Sequence, residues 1–323
     1  MIPRTILVTG GSGFLAAALL RYLACSGEYS LITSLRSART DLPQSIRTVT
    51  LGELTPSNNW QEALTDVDVI VHAAARVHVM NEEAADPLAE FRFVNVDATL
   101  NLARQAAEAG VKRFIYISSI KVNGELSKPG TAFTADDTPA PVDPYGISKL
   151  EAESGLRSLA ANTHMEIVII RPVLVYGPGV KANFLSMIRW LNRGVPLPFG
   201  AVNNKRSLVS LDNLIDLIVT CFEHPSAANQ TFLASDGEDV STTELLRKIA
   251  TVLNKRAILL PLPIGLMSFM ARLVGKGAMA QRLFGSLQVD ISKNERLLGW
   301  TPPVTLDRGL SAAVQPFLES RKS

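Results

Sequence analysis

The sequence predicts an α/β fold, a doubly wound parallel sheet with a smaller, interleaved C-terminal domain. Short runs of β-branched and aliphatic residues, nearly continuous in apolar character, alternate with longer helical patterns, as parallel strands covered on both faces require. After Arg171 this alternation gives way to turn-rich chain.

The strands follow in order: "TILVT" at 5 to 9, "SLITSL" at 30 to 35, "VDVIVHA" at 67 to 73, "RFIYISS" at 113 to 119 and "EIVIIRP" at 166 to 172. Between them lie helical stretches such as "LAAALLRYLACSG" and "VNVDATLNLARQAAEAG", the second closing on a glycine suited to a C-cap. Asp143 and Pro144 read as the N-cap and first residue of a further helix. Beyond Arg171, "RPVLVYGPGVKANF" gathers turn residues, "FLSMIRWLNRG" is helical, and "RSLVSLDNLIDLIVTCF" with "TFLAS" supplies another strand and helix pair. The expected division gives 1–171 and 208–236 to the sheet domain, and 172–207 and 237–323 to the smaller one.

Composition sets outer limits. A chain of 323 residues, 47% hydrophobic and 19% charged, is an ordinary globular protein. Its net charge of +2, with no block of five or six like charges, offers no nucleic-acid arm and no polybasic membrane patch. Cys25 and Cys221 read as small buried apolar residues rather than a disulfide, and no secretory signal is legible, so a cytoplasmic location is expected. The stretch "AILLPLPIGLMSFMARLVG" is interrupted by proline, glycine and Arg272. It falls short of the roughly 20 apolar residues of a membrane span and reads as a buried or partner-facing helix.

The first strand runs into "TGGSGFLAAALL", where Gly11, Gly13 and Ala16 match G-x-G-x-x-G/A. The small residues allow a tight turn, a close backbone approach to a pyrophosphate and close helix packing, while the amides of the following helix face the phosphates. With a strand before it and a long apolar helix after it, the pattern marks a Rossmann-type dinucleotide-binding domain. Gly10, Gly11, Ser12, Gly13, Phe14 and Leu15 form its phosphate loop. No acidic residue ends the second strand to hold the ribose hydroxyls of NAD; Arg36 does, with Arg39 nearby, which favours NADP over NAD.

Tyr145 and Lys149 stand at i and i+4, on one face of the helix that Pro144 opens. A lysine ammonium beside a phenol favours the phenolate, and such a tyrosine can exchange a proton with a carbonyl or alcohol oxygen. The strand "RFIYISS" ends in Ser118 and Ser119, either of which can hydrogen-bond the reacting oxygen. No His, Cys or carboxylate cluster has metal-ligand spacing, and His72 reads as a core or supporting histidine.

Taken in order, the glycine-rich turn, "IVHAAA", the strand-end serines, "YGISK" and "RPVLVYGPG" resemble the extended short-chain dehydrogenase/reductase family over essentially the whole chain. The resemblance implies that Tyr145 is the acid/base, that Lys149 tunes it and binds the nicotinamide ribose, and that Ser119 is the second hydroxyl. Ser119 is preferred because it stands three residues before Val122 in "SSIKVNG"; Asn123 replaces the usual tyrosine there. It also implies that Glu53 and Leu54 lie near the adenine and that Ala73, Ala74, Ala75 and Pro172 line the cofactor cleft. Lys121, Asn183 and Arg206 become substrate contacts, the last two to the diphosphate of a nucleotide sugar. Dehydratases of the family carry an Asp and Glu pair after the catalytic hydroxyl; Ile120 and Lys121 stand there instead, which argues against elimination.

The phrases "HAAARVHVM", "SSIKVNGE" and "GPGVKANFL" further resemble a bacterial subgroup of surface-polysaccharide synthesis, the UDP-N-acetylquinovosamine dehydrogenases. These reduce C4 of a UDP-4-keto-6-deoxy-N-acetylhexosamine and also go under the name UDP-glucose 4-epimerase. The implied function is therefore NAD(P)-dependent 4-keto reduction of a UDP-sugar by a homodimer. UDP-hexose 4-epimerisation is the alternative, and a non-catalytic NAD(P)-binding regulator is the reading from another class.

Overall fold

A computed structural model of the chain describes residues 4–37, 42–77, 85–128, 130–273, 277 and 283–320. Its strands are β1 (Thr5–Thr9), β2 (Ser30–Leu35), β3 (Ile46–Thr50), β4 (Val69–His72), β5 (Arg113–Ile117), β6 (Glu166–Pro172), β7 (Leu174–Tyr176), β8 (Arg206–Ser210), β9 (Thr231–Ala234) and β10 (Asp239–Val240). The helices are α1 (Phe14–Ser26), α2 (Gln61–Leu64), α3 (Pro87–Arg92), α4 (Ala98–Glu108), α5 (Pro144–Ala160), α6 (Ala182–Asn192), α7 (Leu211–Glu223), α8 (Thr242–Val252) and α9 (Ile264–Leu273), with two more at Ser292–Leu298 and Leu306–Glu319.

Seven strands form one parallel sheet in the order β3-β2-β1-β4-β5-β6-β9. Successive side chains of a strand point to opposite faces, so one strand feeds two cores. Ile6, Val8, Ile115, Ile117, Val168 and Ile170 pack with α1 and α7 on one face. Leu7, Phe114, Tyr116, Ile167 and Ile169 pack with α2, α4 and α5 on the other. Burial on both faces explains why these strands read as continuous apolar runs. The sequence reading passed over β3, whose "IRTVT" buries only Ile46 and Val49 because it is an edge strand.

A second layer holds the three-stranded sheet β10-β8-β7. Tyr176, Phe184, Ile188, Leu246, Ile249 and Leu310 form its separate core under α6, α8 and the last helix. The expected boundary at residue 208 cuts through β8, which belongs wholly to this small sheet because it pairs in parallel with β7, Leu174 opposite Leu208. The chain returns to the large sheet with α7, capped by the Ser210 side chain. Asp236 clasps the layers together: its carboxylate accepts from the Tyr176 hydroxyl at 2.6 Å, the Ser210 amide at 2.7 Å and the Asn213 amide group at 2.6 Å.

Both cysteines are free, but only Cys221 is buried; Cys25 is exposed near the end of α1, on the helix's solvent face. Among the described residues no helix is long and apolar enough to cross a membrane.

Candidate active site

The sheet order reverses between β1 and β4, and in such sheets a crevice opens at the carboxyl ends of the strands where the order reverses. Gly10 leaves β1 there with φ +75°, and a Cβ on it would come within 2.9 Å of the Ala74 Cα. A Cβ on Gly11 would lie 2.2 Å from the Thr33 hydroxyl oxygen of β2. Gly13 then starts α1 with extended backbone and no capping side chain. The first amides of a 13-residue helix are thus left without a side-chain acceptor, behind a turn stripped to backbone, with Ser12 and Gly13 exposed at its mouth. That donor set fits a dinucleotide pyrophosphate. Phe14, Leu15 and buried Ala16 seat the helix on the sheet.

The other predicted cofactor contacts ring the same edge. Half-buried Ala73, Ala74 and Ala75 follow β4, and the Ala74 amide donates to the Thr9 hydroxyl at 3.2 Å. Arg36 follows β2 and pairs with Glu53 at 3.7 Å, both side chains mostly exposed; Leu54 packs on the core beside them. Pro172 closes β6 and is buried. Arg39 lies outside the described residues. His72 is buried, with Nδ1 2.8 Å from the Thr9 hydroxyl and Nε2 2.9 Å from that of Thr99, and burial pushes its pKa down to about 3. It is a neutral core histidine.

Asp143 caps α5, its carboxylate accepting from the Gly146 amide at 2.7 Å, and Pro144 is the first helical residue. This fixes the helix start one residue before Tyr145. The Tyr145 side chain lies beside Ser119, which itself caps the short turn Ile120–Val122 after β5. Phe91 meets the Tyr145 ring edge-on at 6.0 Å. Lys149 is buried one turn further along; its Nζ donates to the Ile117 carbonyl at 2.9 Å and lies 4.6 Å from the Tyr116 ring centre and 5.9 Å from that of Tyr145. The structure therefore brings Ser119, Tyr145 and Lys149 together. Ser118 turns the other way and donates to Glu153 Oε1 at 2.6 Å.

The electrostatics run against the expectation of a lowered tyrosine. Burial pushes Tyr145 up to about 12, outweighing the opposing effect of the neighbouring Ser119 hydroxyl, and pushes Lys149 down to about 7. Taking both groups out of water penalises whichever form is charged, and at neutral pH Lys149 is only partly an ammonium. The one carboxylate acting on it, Glu153, is engaged elsewhere.

Sequence reasoning missed two residues that hold this site. Glu153, fully buried, accepts from Arg171 at 2.9 and 2.6 Å, from Ser118 and from Arg157 at 3.2 Å. Arg171 also donates to Asn123 at 2.9 Å, and Asn123 in turn donates to the Thr134 carbonyl. Glu153 stands at i+4 from Lys149, a spacing that placed it on the same helix face and was readable. Asn95, in a single π-turn between α3 and α4, accepts from the Arg76 amide at 2.8 Å and donates to Ser148 at 3.0 Å. It ties the loop after β4 to α5, and nothing in its sequence setting marks it.

Of the predicted substrate contacts, Lys121 lies beside the site, ion-paired with Asp143 and, at 3.3 Å, Glu125. Asn183 and Arg206 belong to the second layer. Asn183 is exposed in the first turn of α6, whose N-cap is Lys181 rather than Asn183 itself. Arg206 begins β8, donates to the Gly285 carbonyl at 3.1 Å, and has its pKa lowered by burial.

Comparison with known proteins gives a consistent result. The family model described as "NAD dependent epimerase/dehydratase family" matches residues 6–234. A UDP-glucose 4-epimerase of Vibrio cholerae is 48% identical over 99% of this chain and 97% of its own. The N-acetyl-alpha-D-glucosaminyl-diphospho-ditrans,octacis-undecaprenol 4-epimerase of Escherichia coli O157:H7 is 25% identical over 98% of this chain and 96% of its own. The crystal structure of a UDP-glucuronic acid 4-epimerase from Bacillus cereus with NAD shares the fold, with a TM-score of 0.77 at 24% identity over 98% of this chain and 99% of that one.

Two outcomes follow from the buried charges. Replacing Arg171 with Met leaves Glu153 without its main partner and is expected to cost about 3–5 kcal/mol, measured by denaturant unfolding. The second concerns pH in nucleotide-free protein. Lys149 ordinarily titrates at 10.5 but at about 7 when folded, so between these values the unfolded chain binds the extra proton and stability rises with pH. Tyr145, at about 12 against its ordinary 10, reverses the trend above pH 10. From pH 7 to 9 the wild type should gain on Lys149→Met by up to about 1.4 kcal/mol per pH unit; parallel stability curves would contradict the buried-lysine assignment.

Proposed function

Because the chain belongs to the NAD dependent epimerase/dehydratase family, we propose that it interconverts the C4 epimers of a UDP-hexose by oxidation and reduction at that carbon. The observation that carries this reading is Tyr145 beside Ser119 and four residues from buried Lys149 on one helix, the lysine Nζ 5.9 Å from the tyrosine ring centre. The Vibrio cholerae relative, alike over nearly its whole length, supports epimerisation as the net reaction.

When bound, the nicotinamide supplies the acceptor and donor of hydride at C4. The chain's own residues manage the proton and the geometry. With Tyr145 as the phenolate, its oxygen takes the C4 hydroxyl proton in the oxidative half-reaction, and the phenol so formed returns that proton to the C4 ketone oxygen in the reductive one, so the proton balance closes over the epimerisation. Protonation of Lys149, 5.9 Å from the Tyr145 ring, places a positive charge where it favours the phenolate, so the lysine's state sets which role the tyrosine can play. Ser119 hydrogen-bonds the same sugar oxygen. Gly10 to Leu15 hold the pyrophosphate, Ala73 to Ala75 and Pro172 wall the cleft, and Arg36, Glu53 and Leu54 stand at its adenosine end. Arg206 offers a planar donor fork to the sugar diphosphate, with Asn183 and Lys121 as further contacts. Elimination of water lacks its acid and base: Ile120 is core, and Asp143 and Glu125 are bound to Lys121.

A specific observation favours a second reading, NADPH-dependent 4-keto reduction of a UDP-4-keto-6-deoxy-N-acetylhexosamine. Arg36 occupies the end of β2, where an acidic residue would hold the NAD ribose. Its guanidinium can carry a 2′-phosphate, though Glu53 beside it competes for the same donors.

The deciding assay incubates the protein with UDP-glucose and follows UDP-galactose by NMR, with reduced-nicotinamide absorbance recorded in parallel. Epimerisation predicts interconversion with no net consumption of nicotinamide; stoichiometric loss of absorbance with the 4-keto sugar, and no interconversion, would establish the reductase instead. Tyr145→Phe should lower kcat roughly 10²- to 10⁴-fold with nucleotide affinity nearly unchanged. Full turnover in that variant would remove Tyr145 from the mechanism.

A further inference from the structure

The second layer presents an apolar face that no described part of the chain covers. On α9, Leu266, Phe269, Met270 and Leu273 are 53%, 58%, 54% and 66% exposed. Their spacing of i, i+3, i+4 and i+7 puts them on one side of the helix. A surface helix ordinarily turns such a stripe inward; α9 turns it to solvent. Leu260, just before the helix, and Trp190, near the end of α6, are likewise exposed, at 46% and 43%. The two segments are joined by backbone hydrogen bonds, Leu197 to the Ile258 carbonyl at 2.9 Å and Leu260 to the Leu197 carbonyl at 2.8 Å.

Charge distinguishes this face further. Residues 167–211 and 245–289 contain no Asp or Glu, yet they hold thirteen Lys and Arg in a chain whose net charge is only +2. Arg189 and Arg193 on and after α6, Lys255 and Arg256 after α8, and Arg272 on α9 are exposed, and among the described residues none pairs with a carboxylate. No contiguous basic block exists because the charges are interleaved with apolar residues over two separate segments, and only the fold unites them.

We propose that this face docks on an anionic lipid surface, with α9 lying in the plane of the interface. Its stripe would enter the acyl boundary while the basic side chains reach the phospholipid headgroups. The ten residues of α9 make about 15 Å of helix, half of what a span needs and suited to lying flat. Charge also decides against the other occupants. A second copy of the chain would bring one set of exposed cations against another, and a neutral apolar partner would leave five cations facing nothing of opposite sign.

The test is co-sedimentation of the full chain with phosphatidylcholine vesicles, with and without phosphatidylglycerol, read without reference to turnover and so independent of the reaction proposed above. The protein should pellet with the anionic vesicles and hardly with the neutral ones, and the bound fraction should fall as salt rises. Phe269→Glu with Met270→Glu, and separately Lys255→Glu with Arg256→Glu, should each lower it roughly tenfold or more. The second pair lies outside the apolar stripe and keeps the test valid if the first fails to fold. Equal pelleting with both vesicle types, no pelleting with either, or a concentration-dependent dimer abolished by the α9 substitutions would each overturn the proposal.

Discussion

The buried ion pair between Glu153 and Arg171 is the constraint on which the site depends. Removing two charges from water is costly, and the cost is offset here only because every oxygen of the carboxylate is used: two bonds from Arg171, one from Ser118 and one from Arg157. Those partners come from α5, the end of β5 and the end of β6. The same helix that carries Glu153 carries Lys149 one turn before it and Tyr145 two turns before it. The residue bonded to Glu153 at the end of β5 is the immediate neighbour of Ser119. A hydroxyl and a phenol from separate stretches are thus held beside one another by a pair that touches neither of them. Asn123 extends the clasp to the loop at Thr134, its amide oxygen accepting from Arg171 and its amide nitrogen donating to the Thr134 carbonyl.

This rigidity has an electrostatic consequence. With Glu153 committed to two arginines, Lys149 has a backbone carbonyl and the rings of Tyr116 and Tyr145 as its near company. Burial then drives the lysine and the tyrosine in opposite directions on the pKa scale, each towards its neutral form. At neutral pH Tyr145 is neutral and Lys149 only partly charged, while Arg36 and Glu53, beyond the ends of β2 and β3, stand in solvent where screening weakens them. A small change in charge near Lys149 therefore shifts the proton balance more than the same change would at the surface, because the low local dielectric leaves it unscreened.

The elements legible in the sequence were those whose residues answer to one local rule. Strands buried on both faces showed as apolar runs, the glycine turn as small residues between strand and helix, and the start of α5 as Asp143 followed by Pro144. The edge strand β3 obeys a weaker rule, since half its side chains face water. The boundary within β8 was illegible because an apolar run does not disclose which of two sheets it joins. Spacing placed Tyr145 and Lys149 together but carried no information on their burial, so the direction of the tyrosine's shift was missed. Glu153 and Asn95 were missed for a related reason: a polar residue destined for the interior looks like any surface residue until its partner, such as Arg171 eighteen positions on, is brought to it.

The small net charge conceals a division of labour between the layers. The acid-free stretches from 167 to 211 and from 245 to 289 supply most of the second layer, so the remainder of the chain must carry a net negative charge. Such a separation of charge between the layers favours a positive field on the side of the second layer, because charges of one sign that are not interleaved with the other reinforce one another. Arg206, whose own pKa is lowered by burial, lies within this layer rather than at its rim. The same field acts outward across α9, where apolar side chains occupy the ground between the cations. The cations of the second layer are thus divided between its interior, where Arg206 sits, and its outer face, where the apolar stripe of α9 lies.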